Sequence, residues 1–454
     1  MSNNLSPDEL QVKGSMKGFE YQSPERRKFL REMENRIRIS VESFGFQEMG
    51  GPMLQPIEFY QVKSGDDLLS HTYSFEDADG SLLVLRPEMT PTVAYMVAKG
   101  ERELAFPLRW WSNPDLFRKE KPQKGRKRQF KQLNVDVFDR LDSGRNRAFD
   151  DSEVISVAIS IFERFGLSSS DIVMRINSRS LLEKVFDSID LDKEQRPKLL
   201  ALIDRKPKIP EEVFTQELKT LVESPESYNL ITKWLSLKTV DEISEIDEFM
   251  FLDNTNEYLE LVKVFELLRV FGKEKYCEFA PDIVRGLGYY TGTVFEAFDK
   301  KNEFKRSLMG GGRYDNLTKA LGGKTAITGI GFGFGNVPLE EILIIRKIEI
   351  VKKENDIDYY VVVQSEENIY QAAEIAEKLR QKGKRVVLDE SVSKNKLDKV
   401  NKQLAKANKI GVKNSLIVFP NELSENQIIV KNMESGEQVT TDILKLIKSQ
   451  SELH

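Results

Sequence analysis

The sequence predicts an α+β protein followed by a separate α/β domain, and three features support that fold class. In residues 117–139, a basic loop is followed by an apolar run typical of a strand, and the apolar run LRWWSNPDLF precedes it. Residues from about 183 to 274 have helical periodicity nearly throughout. From Asp358 onward, strand and helix patterns alternate, which predicts a parallel-rich α/β domain.

Length and composition set the broad class. The 454 residues suggest about two to four domains, and 40% hydrophobic with 31% charged residues is ordinary for a soluble globular protein. A net charge of -5 excludes a generally basic nucleic-acid binder, although a local basic segment can still contact phosphates. The single cysteine, Cys277, excludes an internal disulfide and a cysteine-based zinc cluster.

No targeting or membrane segment is expected. The sequence contains no apolar run of about 18 residues, so we expect no spanning helix and no membrane partner. The opening MSNNLSPDEL lacks a basic region followed by an apolar core, so we expect no signal peptide and a cytoplasmic location.

The first predicted element is a long helix. Ser23-Pro24-Glu25 provides an N-cap, a first-turn proline and an acid near the helix dipole. Apolar residues then recur at helical spacing until Gly45, and a short strand broken at residues 50–52 follows. This helix and the strand after it are equally typical of a core helix with an edge strand and of a subunit interface.

The basic loop between the two strands carries seven Lys and Arg residues from Arg118 to Arg128 against one acid, Glu120. Pro122 and Gly125 exclude a helix there. Such a loop suits polyphosphate or a nucleic-acid backbone, although a charge run of this kind is also typical of a solvated hairpin tip.

Four further segments complete the pattern. SLLVLRPEMTP (81–91) is a predicted strand, and residues 150–166 form an amphipathic helix. The apolar, glycine-rich segment around Arg285 requires an anionic partner for that guanidinium. TGIGFGFG (328–335) has glycines at every second position, which predicts a strand with one face open to a ligand and excludes a dinucleotide fingerprint.

Two of these segments resemble a known family. Phe-Arg-x-Glu, Pro-Gln-x-Gly-Arg and Arg-x-Phe-x-Gln within 117–132 resemble motif 2 of class II aminoacyl-tRNA synthetases in its histidyl form. VRGLGYYTGTVFEAF resembles the signature of histidyl-tRNA synthetases, with Gly288 where the family usually has Asp. The resemblance covers nearly the whole chain.

The resemblance implies a fold and an assembly. It implies a class II antiparallel sheet flanked by helices in residues 1–182 and 275–345, and a helical insertion in 183–274. It also implies an α/β anticodon-binding domain in 356–454 and a homodimer formed through the first helix. The activity implied is ATP-dependent ligation of L-histidine to tRNA(His), with Mg²⁺ and without zinc.

The same resemblance implies the roles of individual residues. Arg118 and Arg285 are the expected catalytic cations. The expected histidine-binding residues are Glu88, Met89, Thr90, Arg118, Gln132, Asp136, Arg285, Tyr289, Tyr290 and Tyr314. The expected ATP-binding residues are Arg118, Glu120, Arg126, Phe130 and Arg313, and Lys124 and Lys127 are the expected tRNA contacts.

Three further positions depart from the family pattern. Met89 stands where the family usually has Gly, and Asp136 where it generally has Glu. Pro338 stands where the motif 3 arginine would hold the γ-phosphate of ATP. Proline has neither charge nor backbone donor, so either another cation holds the γ-phosphate or ATP binds more weakly, with Mg²⁺ carrying more of the neutralisation. We favour a replacement cation, and Arg126 and Arg313 are the candidates.

Two other functions are compatible with parts of this pattern. A catalytically silent regulator resembling the regulatory subunit of ATP phosphoribosyltransferase would share the synthetase core but lack the anticodon-binding domain. A general tRNA-binding or stress-sensing module is the third reading. Histidine-dependent exchange between ATP and pyrophosphate would separate all three.

Overall fold

The computed structural model describes residues 16–61, 69–189, 191–192, 194–222, 224–285, 288–351, 357–390 and 396–450. The opening MSNNLSPDEL, part of the charged linker after Arg346 and the first residues of the helix expected from Lys394 lie outside them. The chain divides into two compact units, Met1–Val351 and Lys352–His454. Within the described ranges, no helix combines the length and apolar character needed to cross a membrane.

The first unit contains strands and helices throughout its length. Its strands are β1 (Gln47–Glu48), β2 (Leu54–Pro56), β3 (Tyr73–Glu76), β4 (Leu82–Leu85), β5 (Leu108–Ser112), β6 (Asp115–Phe117), β7 (Gln129–Arg140), β8 (Ile172–Ser178), β9 (Cys277–Phe279), β10 (Thr293–Asp299), β11 (Met309–Arg313) and β12 (Ile327–Gly335). Its α-helices are α1 (Pro24–Glu42), α2 (Glu58–Gln61), α3 (Thr90–Gly100), α4 (Arg147–Arg164), α5 (Arg179–Ser188), α6 (Gln195–Arg205), α7 (Glu211–Leu221), α8 (Pro225–Ser236), α9 (Glu242–Glu245), α10 (Asn256–Val270), α11 (Leu317–Ala320) and α12 (Asn336–Ile345).

A large, mainly antiparallel sheet organises this unit. Its strand order is β1-β5-β7-β12-β11-β10-β8-β9, with β6 paired to the start of β7. Among the described strands of this sheet, only the two end pairs are parallel, namely β1 with β5 and β8 with β9. A smaller antiparallel sheet has the order β2-β4-β3. The predicted α+β class with an antiparallel sheet is therefore confirmed.

The two faces of the large sheet differ in character. Alternate residues of β7 and β12, such as Val135 and Phe332, pack into the main apolar core with α1 and α4. Each buried aliphatic or aromatic side chain of this kind contributes roughly 1.5–3 kcal/mol. Because strand side chains alternate between faces, the intervening residues, including Asp136 and Gly331, lie on the opposite face. That opposite face carries the candidate active site.

Local signals account for several element boundaries. The Ser23 hydroxyl accepts a hydrogen bond from the backbone N–H of Arg26 at 3.2 Å, so α1 starts as predicted. The basic loop lies between antiparallel β6 and β7, also as predicted. The predicted strand over residues 81–91 ends at Leu85, and α3, which the sequence analysis did not predict, begins at Thr90 with Pro91 in its first turn.

The second unit is a five-stranded sheet with helices, within the described residues. Strands β13 (Tyr359–Val363), β14 (Val386–Asp389) and β15 (Asn414–Val418) are parallel, and β16 (Gln427–Asn432) and β17 (Gln438–Asp442) continue the sheet antiparallel. The helices are α13 (Ile369–Gln381), α14 (Lys396–Ile410), α15 (Pro420–Ser424) and α16 (Ile443–Lys448). The predicted α/β pattern of this unit is confirmed.

Candidate active site

Five glycines lie on one face of two neighbouring strands. Gly310 is opposite Gly333 and Gly312 is opposite Gly331 across the β11–β12 pair, and Gly329 has the same orientation in β12. We call these five residues the glycine face. A Cβ atom at any of them would collide with other residues of the chain. Only glycine therefore fits at these positions without displacing a neighbour.

The space above the glycine face is filled by side chains from distant parts of the sequence. They are Gln132, Asp136, Arg285, Tyr290 and Tyr314. The glycines leave room for five of the expected histidine-binding residues, which the fold thereby brings onto one surface. The room for a ligand that the alternating glycines predict stays a prediction.

Asp136 is the most strongly perturbed acid on this surface. Its carboxylate is buried and accepts a hydrogen bond from the Tyr314 hydroxyl. Burial raises the pKa of Asp136 to about 7, although the Tyr314 hydrogen bond acts in the opposite direction. A buried carboxyl group with a raised pKa forms a strong hydrogen bond with a ring N–H donor, because that donor stabilises the ionised carboxylate. Gln132, on the same strand face, donates to Asn134 at 3.2 Å.

Glu88 lies at the side of this surface, just before α3. Its side chain is buried, and one carboxylate oxygen accepts from the Tyr289 hydroxyl at 3.4 Å. The backbone carbonyl of Glu88 accepts from Tyr60 at 3.2 Å, which fixes the segment before the helix. Thr90 starts that helix, and its hydroxyl accepts from Asn134 at 3.5 Å. These contacts join the Arg-Pro-Glu-Met-Thr segment to β7.

The Met89 side chain lies in the protein interior. Its side chain is fully buried in an apolar cluster that includes Val93 and Tyr289. Its terminal methyl lies 3.1 Å from where a Cβ at Gly51 would be. The extra volume of Met89 is therefore accommodated by core packing and by the absence of a side chain at Gly51.

Arg118 lies at the end of β6, where the basic loop begins. Its Nε donates to the Pro87 carbonyl at 3.0 Å, and its guanidinium lies 5.2 Å from the centre of the Phe130 ring. Burial lowers the pKa of Arg118, and the nearby carboxylates of Glu88 and Glu120 partly offset that effect. The Arg118 guanidinium is therefore a cation held in a fixed position between the Glu88 carboxylate and the Phe130 ring.

Arg285 is the second cation and has the anionic partner that the sequence analysis required. It forms an ion pair with Glu296 of β10, and its guanidinium lies 5.6 Å from the centre of the Tyr290 ring. Glu296 is opposite Gly310, the glycine that makes room for the guanidinium. Arg285 adopts a left-handed φ of 56°, a conformation that non-glycine residues rarely adopt. The next two residues of the signature, Gly286 and Leu287, lie outside the described part.

The basic loop is more exposed and its cations contact surface acids. Arg126 pairs with Glu120 at 2.5 Å, and Lys127 pairs with Glu20 at 2.5 Å. Lys124 has a side chain that is 65% exposed and lies 3.8 Å from Glu341. Lys124 is therefore more accessible than either Arg126 or Lys127.

Arg313 requires a correction. It was predicted to be a cation for ATP, but its side chain is only 1% exposed. It forms an ion pair with Asp151, contacts Asp315 at 3.3 Å and donates to Thr328 at 2.7 Å. A guanidinium enclosed by these partners is not accessible to a phosphate, so Arg313 is a structural residue behind Tyr314.

Pro338 lies in the first turn of α12, directly after β12. Because the first N–H groups of a helix lack intrahelical partners, a proline there removes a donor without breaking a helical hydrogen bond. Asn336 at the start of this helix accepts from the Lys131 backbone N–H at 3.0 Å. The helix is thus intact, and it presents no cation at position 338.

Two polar residues of this site were not predicted from the sequence. Glu296 is a lone charge in the apolar strand TVFEAF, a signal that could have identified it as the partner of Arg285. Asn134 links Gln132 to Thr90, but a single amide within a strand has no pattern that distinguishes it.

Comparisons with known proteins agree with this arrangement. A family model described as histidyl-tRNA synthetase matches residues 18–337, and one described as anticodon binding domain matches residues 358–452. The chain is 32% identical over 432 residues to a histidine–tRNA ligase of Haloarcula marismortui, covering 94% of this chain and 95% of that protein. It is 33% identical over 417 residues to one of Leptospira biflexa, covering 90% and 91%.

A solved structure gives the same result in three dimensions. The crystal structure of histidyl-tRNA synthetase from Nostoc sp. PCC 7120 matches with a TM-score of 0.76 and 25% sequence identity. The match covers 97% of this chain and 99% of that one.

Proposed function

The chain belongs to the histidyl-tRNA synthetase family, and from that premise we propose that it joins L-histidine to tRNA(His) with ATP, through a histidyl-adenylate. The histidine carboxylate attacks the α-phosphorus of ATP and pyrophosphate leaves. A ribose hydroxyl at the tRNA 3′ end then attacks the adenylate and releases AMP. The glycine face carries this proposal, because it gathers five of the expected substrate-binding side chains on one surface.

In this proposal, histidine is held at both ends. Glu88 and Thr90 accept from the α-ammonium group, as an ionised carboxylate and a hydroxyl are suited to do. Asp136, with Tyr314 and Gln132, accepts from and donates to the imidazole ring. Tyr289 and Tyr290 border the ring, and Met89 closes the apolar side. The buried Asp136–Tyr314 contact supports this assignment.

Phosphoryl transfer of this type depends on position and on charge neutralisation more than on a covalent catalyst. Arg118 and Arg285 act as the two catalytic cations on the α-phosphate and the attacking carboxylate. Phe130 stacks on adenine, and Glu120 accepts from its exocyclic amine. Arg126, which pairs with Glu120 in the free protein, changes partner to the phosphates.

ATP enters with Mg²⁺, which favours oxygen ligands and is commonly held by one or two carboxylates together with the phosphates. Glu296 beside Arg285 is a carboxylate of this type. Bound there, Mg²⁺ would neutralise charge on the phosphates.

For the tRNA, we propose contacts from three parts of the chain. Lys124 and Lys127 contact the acceptor end, supported by the exposure of Lys124. Residues 183–274 form the helical insertion between the catalytic segments 1–182 and 275–345. Residues 356–454 form the anticodon-binding domain, supported by the family match to 358–452.

We also propose a cytoplasmic homodimer. Large apolar side chains are exposed on and beside the small β2-β4-β3 sheet, namely Met53, Leu54, Phe75 and Leu82. Clustered exposed apolar residues favour burial against another subunit. Helix α1, which precedes β1 and β2 in the sequence, also exposes Ile39. A sedimentation experiment that returns only monomers would contradict the dimer.

The regulator reading is disfavoured by one observation. That class lacks an anticodon-binding domain, whereas this chain matches one at its C-terminal end. The reading would regain support only if the absence of a cation at Pro338 abolished ATP binding.

Exchange of labelled pyrophosphate into ATP tests the proposed function. We expect exchange that requires L-histidine and rejects apolar amino acids of similar size by roughly 10⁴–10⁵, because they would leave buried polar groups of the site unpaired. The measurement compares kcat/KM for histidine with that for leucine and phenylalanine. Absence of exchange, or comparable exchange with either competitor, would refute the assignment.

A further inference from the structure

The absence of a cation at Pro338 raises the question of which residue meets the terminal phosphates of ATP. Arg313 is enclosed by Asp151, Asp315 and Thr328. Arg126 is available, since its side chain is 51% exposed. A second guanidinium facing the turn that carries Arg126 could share the charge of these phosphates with it.

Arg306 lies beside that loop in the structure. It belongs to the segment between β10 and β11, and its Cδ atom is 3.8 Å from where a Cβ at Gly125 would be. The Phe304 ring comes closer still, with its Cζ atom 2.8 Å from the same point. Gly125 has a left-handed φ of 76° and directly precedes Arg126. The fold thus holds the Phe304–Arg306 segment against the turn of the basic loop.

The charges around Arg306 indicate an anion site. Burial lowers the pKa of Arg306, repulsion from Arg126 lowers it further, and Glu120 acts in the opposite direction. Glu120 is itself the ion-pair partner of Arg126. Within the described residues, Arg306 has no ion pair or hydrogen bond of its own. Two guanidinium groups close to one acid form a locally positive site, and a bound polyanion would relieve their repulsion.

We propose that Arg306, together with Arg126, binds the terminal phosphates of ATP and supplies the positive charge that Pro338 does not. The inference rests on the proposed function, since it assigns a further substrate contact to the same site. The planar guanidinium fork suits phosphate oxygens, and partial burial beside Phe304 and Gly125 limits the freedom of its stem. The pairing of Glu120 with Arg126 keeps the loop cations near this position before the nucleotide arrives.

The test compares ATP with AMP, which lacks the terminal phosphates. Dissociation constants are measured by calorimetry for the wild type, Arg306→Gln, Arg306→Lys and Lys305→Gln, without histidine or tRNA. Lys305 is the exposed neighbouring cation and serves as the matched control. Loss of one charge-assisted contact predicts ATP binding about tenfold or more weaker in Arg306→Gln and AMP binding unchanged. Arg306→Lys should lie between Arg306→Gln and the wild type.

Three outcomes would overturn the inference. The first is unchanged ATP binding by Arg306→Gln, and the second is an equal loss for ATP and AMP. The third is an equal loss of ATP binding in Lys305→Gln. Should Arg306→Gln fail to fold, Arg306→Lys decides the question, since wild-type ATP affinity in that variant would count against a bidentate contact.

A separate readout distinguishes this inference from the proposed function. Histidine-dependent pyrophosphate exchange by the wild type tests the function alone. With exchange present, Arg306→Gln should raise the KM for ATP about tenfold or more while leaving the KM for histidine unchanged. Exchange without that KM change refutes only the Arg306 assignment, whereas ATP binding without any exchange refutes only the function.

Discussion

The Arg313 guanidinium and the Arg126 guanidinium both contact carboxylates, but in opposite environments. The Arg313 side chain is 1% exposed, and its pair with Asp151 lies beneath the surface that carries Tyr314. The Arg126 side chain is 51% exposed and pairs with Glu120 in the basic loop. The comparison shows that the buried Arg313 cation is held by fixed partners and stabilises the fold, whereas the exposed Arg126 cation can exchange its partner for a ligand.

The largest expected effect comes from breaking the buried pair. Asp151→Asn leaves the Arg313 charge without its main partner, and loss of one member of a buried pair costs about 3–5 kcal/mol. Glu120→Gln breaks the exposed pair and should change the free energy of unfolding by only about 0–1 kcal/mol. Urea unfolding of both variants measures the difference. Similar destabilisation by the two substitutions would show that burial does not separate these ion pairs.

Arg285→Ala should produce the next largest effect, on catalysis. Because this cation acts where charge develops, we expect kcat for adenylate formation to fall about 10²–10³-fold. Binding of tRNA should be mostly retained. Arg175→Ala, which removes a paired arginine from the neighbouring strand β8, is the control. Near wild-type exchange by Arg285→Ala would assign Arg285 a structural role.

Asp136 should impose a pH dependence on stability. Its pKa of about 7 in the folded state lies above the ordinary value of 3.8. Between these values the folded protein keeps a proton that the unfolded chain has released. The free energy of unfolding therefore falls as pH rises from about 4 to about 7, by at most about 1.4 kcal/mol per pH unit from this group.

Asp136→Asn removes this contribution, so its stability should depend less steeply on pH than that of the wild type. Urea unfolding at pH 5, 6 and 7 provides the comparison. Identical slopes for the two proteins would mean that Asp136 titrates normally in the folded state.

The smallest effect belongs to the exposed loop cations. Lys124→Ala combined with Lys127→Ala should weaken tRNA charging and flatten its salt dependence, by roughly one unit of log–log slope for each lost phosphate contact. Pyrophosphate exchange without tRNA should change little. Lys99→Ala, an exposed lysine on α3, is the control. A salt dependence that the double substitution leaves unchanged would identify the loop as an ordinary solvated surface.

Local sequence patterns predicted many of the helices and strands, but they predicted few of the ion pairs between charged side chains. The cap at Ser23, the basic loop between β6 and β7, and the strand with alternating glycines all follow from short-range signals. The α3 helix was missed because Pro91 resembles a strand end as readily as a helix first turn.

The site could not be fully predicted, because some of its residues contact partners that are distant in the sequence. Arg313 was assigned to ATP because nothing near it in sequence shows that Asp151, 162 residues away, encloses it. In the same way, Lys127 meets Glu20 across 107 residues. The glycine spacing predicted an open face, but only the folded chain shows that Asp136 and Tyr314 occupy it. The roles of these residues in substrate binding stay predictions until they are tested.

The glycine face has a thermodynamic consequence for substrate recognition. The glycines contribute no side-chain rotamers of their own, and the space above them is filled by side chains from other parts of the chain. The side chains seated there restrain one another, as the Tyr314 hydroxyl does for Asp136. Ordering one flexible side chain on binding costs about 0.5–1.5 kcal/mol. Under the proposed function, that conformational entropy is therefore lost when the protein folds and not when histidine binds.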